Sequence, residues 1–278
     1  MADRTDRADV IVVNSHVVRG SVGGRASVFA LQRLGIPVWS LPTVSLAWHP
    51  GHGPATRFDT PPDAFATLVD DLCRALRRPR HPGVGGVTSG YLGNAGQAGD
   101  IATLVTAAKT ADPEARYLCD PVIGDTGGLY QPEAIATAIR DRLLPLADIA
   151  TPNRFELGWL TGTAAEDNAG LVTAARSLGP AEVVVTSAFA GEGAIGTLLV
   201  TADATHLHTT AAVEGAPHGA GDLFAALYFG HRLEGREPAD AMVAAATATE
   251  AMIALAVTRG DDEMPLAAGQ DLLVSAGG

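Results

Sequence analysis

A glycine-rich bend runs straight into an apolar helix at Pro217-His218-Gly219-Ala220-Gly221-Asp222-Leu223-Phe224. Glycines let successive backbone N–H groups turn toward one point, and the helix start adds its dipole. Gly219, Ala220 and Gly221 therefore form a cradle for anionic oxygens. Asp222 falls in the first helical turn and has two readings. It can cap the helix N-terminus, or it can take a proton from a hydroxyl that attacks a phosphate held in the cradle. Two further segments carry clustered oxygen donors, Cys119-Asp120-Pro121-Val122-Ile123-Gly124-Asp125 and Thr151-Pro152-Asn153-Arg154-Phe155-Glu156-Leu157. Asp120, Asp125, Asn153 and Glu156 are hard ligands suited to magnesium that keeps several waters. Asn153 as a helix cap and Glu156 as a first-turn acid are the plainer alternatives. Together with the Gly-Ala-Gly-Asp bend, the set points to a site for phosphate and metal.

Such residues need a frame that brings them together. Short β-branched runs predict strands at 9–14, 38–44, 86–89, 116–120, 148–151, 182–187, 195–200 and 205–210. Helical stretches alternate with them at 21–34, 62–78, 95–111, 132–144 and 167–178, and two more helices close the chain. This alternation predicts βα units on a mainly parallel sheet. The unbroken runs Val10-Ile11-Val12-Val13 and Val183-Val184-Val185 indicate strands covered on both faces. The segments 119–125 and 151–157 would then leave neighbouring strands at the same carboxyl edge, where ligands bind in such sheets. The last two strands, joined through Ala202-Asp203-Ala204, read as an antiparallel hairpin at the sheet edge. No repeat or long linker breaks the pattern, so one domain over 1–278 is expected. The stretch 45–62 is rich in Gly, Pro and His and reads as one irregular loop of the kind that covers a site.

Composition narrows the partners. The chain has 278 residues, 47% of them apolar, and a formal charge of −12, which fits a soluble globular protein and argues against nucleic acid or an anionic membrane. Lys109 is its one lysine, which removes the Walker A loop, the protein-kinase strand lysine and the Schiff-base lysine. Lys109 itself reads as a solvated helix-end residue. Cys73 and Cys119 lie far apart and form neither a disulfide framework nor a zinc spacing. The polar start Met1-Ala2-Asp3-Arg4 lacks a signal-like apolar region, and the Ala-rich stretch 239–257, with Asp240 and Glu250, reads as a buried helix, not a membrane span. Cytoplasmic residence is the expectation. Pro50 and Gly51 disfavour a metal shared by His49 and His52. His206 and His208 are expected to face solvent together, and Arg77-Arg78-Pro79-Arg80-His81 reads as a solvated helix end.

Two more segments leave strands at the acidic edge. Asn14-Ser15-His16-Val17-Val18-Arg19-Gly20-Ser21-Val22-Gly23-Gly24 follows the first strand and Thr88-Ser89-Gly90-Tyr91-Leu92-Gly93 a later one, which adds Ser15, His16 and Tyr91. In this order, with Cys-Asp-Pro-Val-x-Gly-Asp, Thr-Pro-Asn-x-Phe-Glu-Leu and Gly-x-Gly-Asp-Leu-Phe, they resemble the pyridoxal kinases of the ribokinase-like superfamily. The resemblance spans about 10–258. Gly-x-Gly-Asp marks the superfamily, and the Ser-His-Val segment marks the vitamin B6 branch.

The resemblance implies a three-layer α/β/α sandwich with an ATP-dependent kinase site at the strand ends, usually in a homodimer. Asp222 would accept the proton of the 5′-hydroxymethyl group of pyridoxal, while Gly219, Ala220 and Gly221 hold the transferred phosphoryl charge. Asp125 and Glu156 would organise magnesium, directly or through water. Asp120, Asn153, Thr186, Ser187 and the stretch Val213-Glu214-Gly215 would meet ATP, and Tyr130 would help cover its phosphates. Thr151 is the candidate for a monovalent cation. Ser15 would bond the pyridine ring, with His16 and Tyr91 beside it. Two alternatives stay open: a kinase for another hydroxymethyl heterocycle such as hydroxymethylpyrimidine, or a B6-binding protein without turnover.

The chain departs from the family pattern at Leu46-Ala47-Trp48-His49-Pro50-Gly51-His52, where Pro50 replaces a threonine, and at Ala220 and Gly24. In the loop 45–60, Trp48 or His49 is expected against the pyridine ring, or Trp48 packs on the loop's own base.

Overall fold

The computed structural model describes residues 8–78 and 83–275. Pro79, Arg80 and His81 of the basic run and the N-terminal 1–7 lie outside the described residues. Nine strands form one sheet in the order β11 (Thr205–Ala211), β10 (Ala194–Val200), β9 (Glu182–Ala188), β8 (Ile149–Ala150), β5 (Arg116–Cys119), β4 (Val84–Ser89), β1 (Asp9–Val17), β2 (Val38–Leu46), β3 (Arg57–Asp59). The pairs from β9 across to β2 are parallel, whereas β3, β10 and β11 join antiparallel at the two edges. A separate two-stranded flap pairs β6 (Gly124–Asp125) with β7 (Gly128–Leu129).

Alternation along the central strands builds the three layers. Val10, Val12, Val184 and Leu199 point to one face, where they pack with α1 (Gly24–Arg33), α7 (Ala220–Leu233), α8 (Pro238–Arg259) and α9 (Leu272–Ser275). Ile11 and Val13 point to the other face, against α2 (Pro62–Leu76), α3 (Gln97–Ala111) and α4 (Glu133–Ala138). Val183, Val185 and Leu198 meet α5 (Arg154–Thr161) and α6 (Asn168–Leu178). Strands buried on both sides are the product of this double cover, and the α/β/α architecture expected from the sequence is observed.

Several expectations are corrected. The first strand continues past Asn14 to Val17, so Ser15 and His16 sit in the strand, across an irregularity in its pairing with β2. The stretch 45–62 is only partly irregular, because β3 pairs antiparallel with Val44, Ser45 and Leu46 and closes the edge of β2. A 3-10 turn, Pro50–His52, lies between them. The helix expected at 132–144 is regular only over Glu133–Ala138 and continues through a π-type stretch, Ile139–Leu143, into a 3-10 turn, Leu144–Leu146, that takes in Pro145. α5 was expected only through the alternative readings of Asn153 as a cap and Glu156 as a first-turn acid.

Lys109 is not merely solvated: its Nζ donates to the Leu146 carbonyl at 2.9 Å and pairs with Asp148 at 2.8 Å, which ties α3 to the start of β8. His206 is exposed, but His208 is half-buried opposite Thr197. α8 has the length and hydropathy of a membrane span, yet Ala241, Met242, Ala245 and Met252 are buried in the core. Cys73 and Cys119 are buried free thiols.

Candidate active site

A cavity of about 540 Å³ lies along the carboxyl edge of the sheet. Asp120, Asp125, Asn153 and Glu156 line it beyond β5 and β8, Ser15 and Arg57 line it from within β1 and β3, and Tyr91 and His49 from just beyond β4 and β2. Gly219, Gly221 and Asp222 contribute from the start of α7. The order of the strands spreads these groups into an acidic end and an end that holds the aromatic and basic side chains.

Asp222 does not cap its own helix. α7 opens at Gly219, in left-handed conformation and with no side-chain cap. The Asp222 carboxylate instead accepts the Gly23 backbone N–H at 2.8 Å and the Asn14 amide Nδ2–H at 2.9 Å. Burial raises its pKa, against the pull of these two donors. Gly23 has φ of 59°, and a side chain there would put its Cβ 2.3 Å from Ser15 Oγ, so only glycine brings this N–H to the carboxylate. The buried Asn14 also accepts from the backbone N–H of Ser15 at 2.8 Å and of Tyr91 at 3.0 Å. One amide thus couples the carboxylate to both strand ends.

At the acidic end, the plainer readings of Asn153 and Glu156 hold. They form a reciprocal capping box on α5. Glu156 does more than cap, because one oxygen also accepts the backbone N–H groups of Ile123 at 2.8 Å and Gly124 at 3.4 Å. Asn153 Nδ2 donates to the Gly124 carbonyl at 2.8 Å. The loop after β5 is therefore clamped from α5, with Val122 at a φ of 47°, a conformation costly for a β-branched side chain. Gln131 Nε2 holds the Val122 carbonyl at 2.7 Å.

The carboxylates are crowded. Burial pushes Glu156 up to about 7, against its backbone donors. Burial, then the nearby Glu156 and Asp222, raise Asp120 well above the usual carboxylate range. The buried Thr151 hydroxyl lies beside Asp120 and counters part of that rise. Asp125 is exposed on the flap, where it accepts the Gly127 N–H at 2.8 Å, and Tyr130 is also exposed. Thr186 and Ser187 line the cavity, Ser187 at a φ of 53°.

The other end contains residues that the sequence did not single out. The Arg57 guanidinium bonds Asp59, the Tyr91 hydroxyl and the Gly93 carbonyl. The His49 and His218 rings lie 4.1 Å apart between centroids. His52 bonds Glu263 at 2.8 Å, and the same carboxylate accepts the Ser21 N–H at 3.0 Å. Among the described residues no three His, Cys, Asp or Glu converge as a metal cage. Trp48 Nε1 donates to the Gly53 carbonyl at 3.3 Å, within its own loop. His16, Trp48, Val213, Glu214, Gly215 and Ala220 are absent from the cavity wall.

A sheet edge organised this way is that of small-molecule kinases with a ribokinase-like α/β fold. The family model for phosphomethylpyrimidine kinase matches residues 85–267. A pyridoxal kinase of Rubrobacter xylanophilus is 37% identical over 96% of this chain and 94% of its own length. A pyridoxine/pyridoxal/pyridoxamine kinase of Bordetella bronchiseptica is 37% identical over 84% of each chain. The structure of pyridoxal kinase from Leishmania donovani in complex with ADP and pyridoxine superposes with a TM-score of 0.87 at 28% identity, covering 97% of this chain and 96% of that one. The chain belongs to the pyridoxal kinase family.

Proposed function

We propose that this chain transfers the γ-phosphoryl group of ATP to the 5′-hydroxymethyl group of pyridoxal, and also of pyridoxine and pyridoxamine, in vitamin B6 salvage. The observation that carries the reading is the placement of Asp222, whose carboxylate is held by Gly23 and Asn14 and left free of any capping role. With the pyridine ring on the Ser15, Tyr91 and His49 side, the hydroxymethyl group meets this carboxylate. Asp222 takes the hydroxyl proton as the oxygen bonds to the γ-phosphorus, and the bond to the β–γ bridging oxygen breaks with its electron pair leaving on ADP. The backbone N–H groups of Gly219, Ala220 and Gly221 and the α7 dipole meet the charge on the transferred oxygens. Asp120, Asn153, Thr186, Ser187, Tyr130 and the stretch Val213-Glu214-Gly215 are assigned to the nucleotide.

The donor set at the acidic end fits magnesium. Asp120, Asp125 and Glu156 are hard oxygen ligands, and burial together with neighbouring acids raises the proton affinity of Asp120 and Glu156, the condition that a bound cation relieves. Both Glu156 oxygens already hold backbone N–H groups, so Glu156 would reach the ion through water and Asp125 more directly. Magnesium, when bound, neutralises charge on the ATP phosphates. The Thr151 hydroxyl, buried beside Asp120, is assigned to a monovalent cation. A homodimer in the cytoplasm completes the reading.

Purified protein with magnesium and ATP is expected to form ADP and pyridoxal 5′-phosphate one for one when pyridoxal is added. The match to the phosphomethylpyrimidine kinase model favours a second substrate, hydroxymethylpyrimidine. Turnover with that compound and none with the three vitamers would replace the first reading, and ligand binding without ADP formation would identify a carrier.

A further inference from the structure

Arg57 takes no part in the phosphoryl transfer described above, yet it forms cavity wall at the end away from the carboxylates. Edge strand β3 delivers it, paired in register with Leu46. Its side chain is fixed: Nε donates to Asp59 Oδ1 at 2.7 Å, one terminal nitrogen to the Tyr91 hydroxyl at 2.9 Å and the other to the Gly93 carbonyl at 3.2 Å. The guanidinium carbon lies 5.8 Å from the centre of the Tyr91 ring. A guanidinium has five N–H donors and no acceptor, and it is always charged. Three donors are engaged here, which leaves one on each terminal nitrogen.

Asp59 offsets part of that charge from outside the cavity, and no carboxylate at this end lies on the cavity wall. His49 accepts the Gly51 N–H at Nδ1, so its proton sits on Nε2 and makes it a further donor. Burial, then the adjacent His218, lowers the His49 pKa and keeps the ring neutral. Glu263 is engaged by His52 and Ser21. Asp59 is the partner of Arg57 but lies outside the cavity wall, more than half exposed.

We propose that Arg57 is a specificity-determining residue, which favours B6 vitamers whose ring substituents are oxygens and disfavours pyridoxamine. The inference rests on the vitamer-kinase reading above. The oxygens of pyridoxal and pyridoxine accept hydrogen bonds from a guanidinium. The aminomethyl group of pyridoxamine is an ammonium at neutral pH, which offers only donors and the same charge. Discrimination then comes from the repulsive element, as specificity often does.

The test compares the wild type with Arg57→Met and Arg57→Lys, reading kcat and KM for the three vitamers and ATP, with equilibrium binding of pyridoxal and pyridoxamine to the unreacted protein. The wild type is expected to favour pyridoxal over pyridoxamine by about tenfold in kcat/KM, the scale of one unpaired charge contact. Arg57→Met is expected to shrink that ratio to within about twofold while KM for ATP stays constant. Arg57→Lys keeps the charge and the preference but loses the fork that holds Tyr91, so all vitamers weaken together. A wild type that favours pyridoxamine, or a ratio unchanged in Arg57→Met, overturns the proposal. Equal weakening of all vitamers in Arg57→Met also overturns it and reduces Arg57 to a support for Tyr91. Binding with the expected preference but no turnover contradicts the kinase reading alone.

Discussion

The two ends of the cleft are built by different means. At the acidic end, Asp120, Asp125, Asn153 and Glu156 come from two short segments that follow the neighbouring interior strands β5 and β8, and they bond mainly to one another's backbone. At the other end, His49 meets His218, Arg57 meets Tyr91 and His52 meets Glu263, partners distant in sequence that an edge hairpin and a turn bring together. Interior strands fixed on both sides hold the phosphate chemistry in place. The edge, with β3 added antiparallel, is where substrate selection can vary without disturbing it.

The largest expected effect falls on the carboxylate between the two ends. Asp222→Asn should lower kcat by roughly 100-fold or more, the scale of a lost general base. Because both oxygens of Asp222 accept hydrogen bonds, the new amide opposes one donor, and a drop of a few degrees in melting temperature accompanies the loss. Near-normal turnover would remove the base from the junction and dissolve the distinction between the ends.

A smaller effect belongs to the acidic end alone. The Glu156 pKa is raised from 4.5 to about 7 in the fold. Its contribution to stability is therefore present below pH 4.5 and is lost as pH rises through 7. Without nucleotide, Glu156→Gln should be less stable than the wild type at low pH, by roughly 1–3 kcal/mol for the backbone donor it leaves unmatched. That gap should narrow as pH rises through the window. Paired melting curves across pH check this, and parallel curves would show that Glu156 titrates as an ordinary carboxyl.

The smallest effect is expected at Trp48, whose indole N–H holds the Gly53 carbonyl and whose side chain is absent from the cavity wall. Trp48→Ala should lower the melting temperature while KM for pyridoxal changes by less than about twofold. A large rise in that KM would make the turn a direct substrate contact and extend the variable end.

The acidic end was legible because its residues are contiguous and follow β-branched runs whose parallel order the alternation implies. The interior strands were legible for the same reason, since Val10-Ile11-Val12-Val13 divides cleanly between two covered faces. The role of Asp222 was not legible, because a capping carboxylate and a base look alike until Gly23 and Asn14 are seen to hold it. Asn14 reads as a strand residue, and its bonds to Ser15, Tyr91 and Asp222 span three elements. Arg57 lay in a stretch that reads as irregular, and its partner Tyr91 stands on another strand end. His218 was hidden inside the glycine bend, and its tilted ring contact with His49 depends on how the turn at Pro50 folds back. The eight residues of α5 are too few for periodicity to declare a helix.

The division of the cleft is tested most directly by a crossed pair of variants, one at each end, with magnesium, ATP and pyridoxal each titrated against both. Asp125→Asn removes a charge from the exposed flap. Gly51→Ala adds a Cβ that would stand 2.6 Å from His218 Nε2 and 2.9 Å from His49 Nδ1, and so displaces the ring pair. The expected result is a crossed pattern. Asp125→Asn raises the magnesium half-saturation and the KM for ATP by about fivefold with KM for pyridoxal unchanged, and Gly51→Ala does the reverse. Both variants weakening nucleotide and pyridoxal by the same factor would contradict a cleft with two separately built ends.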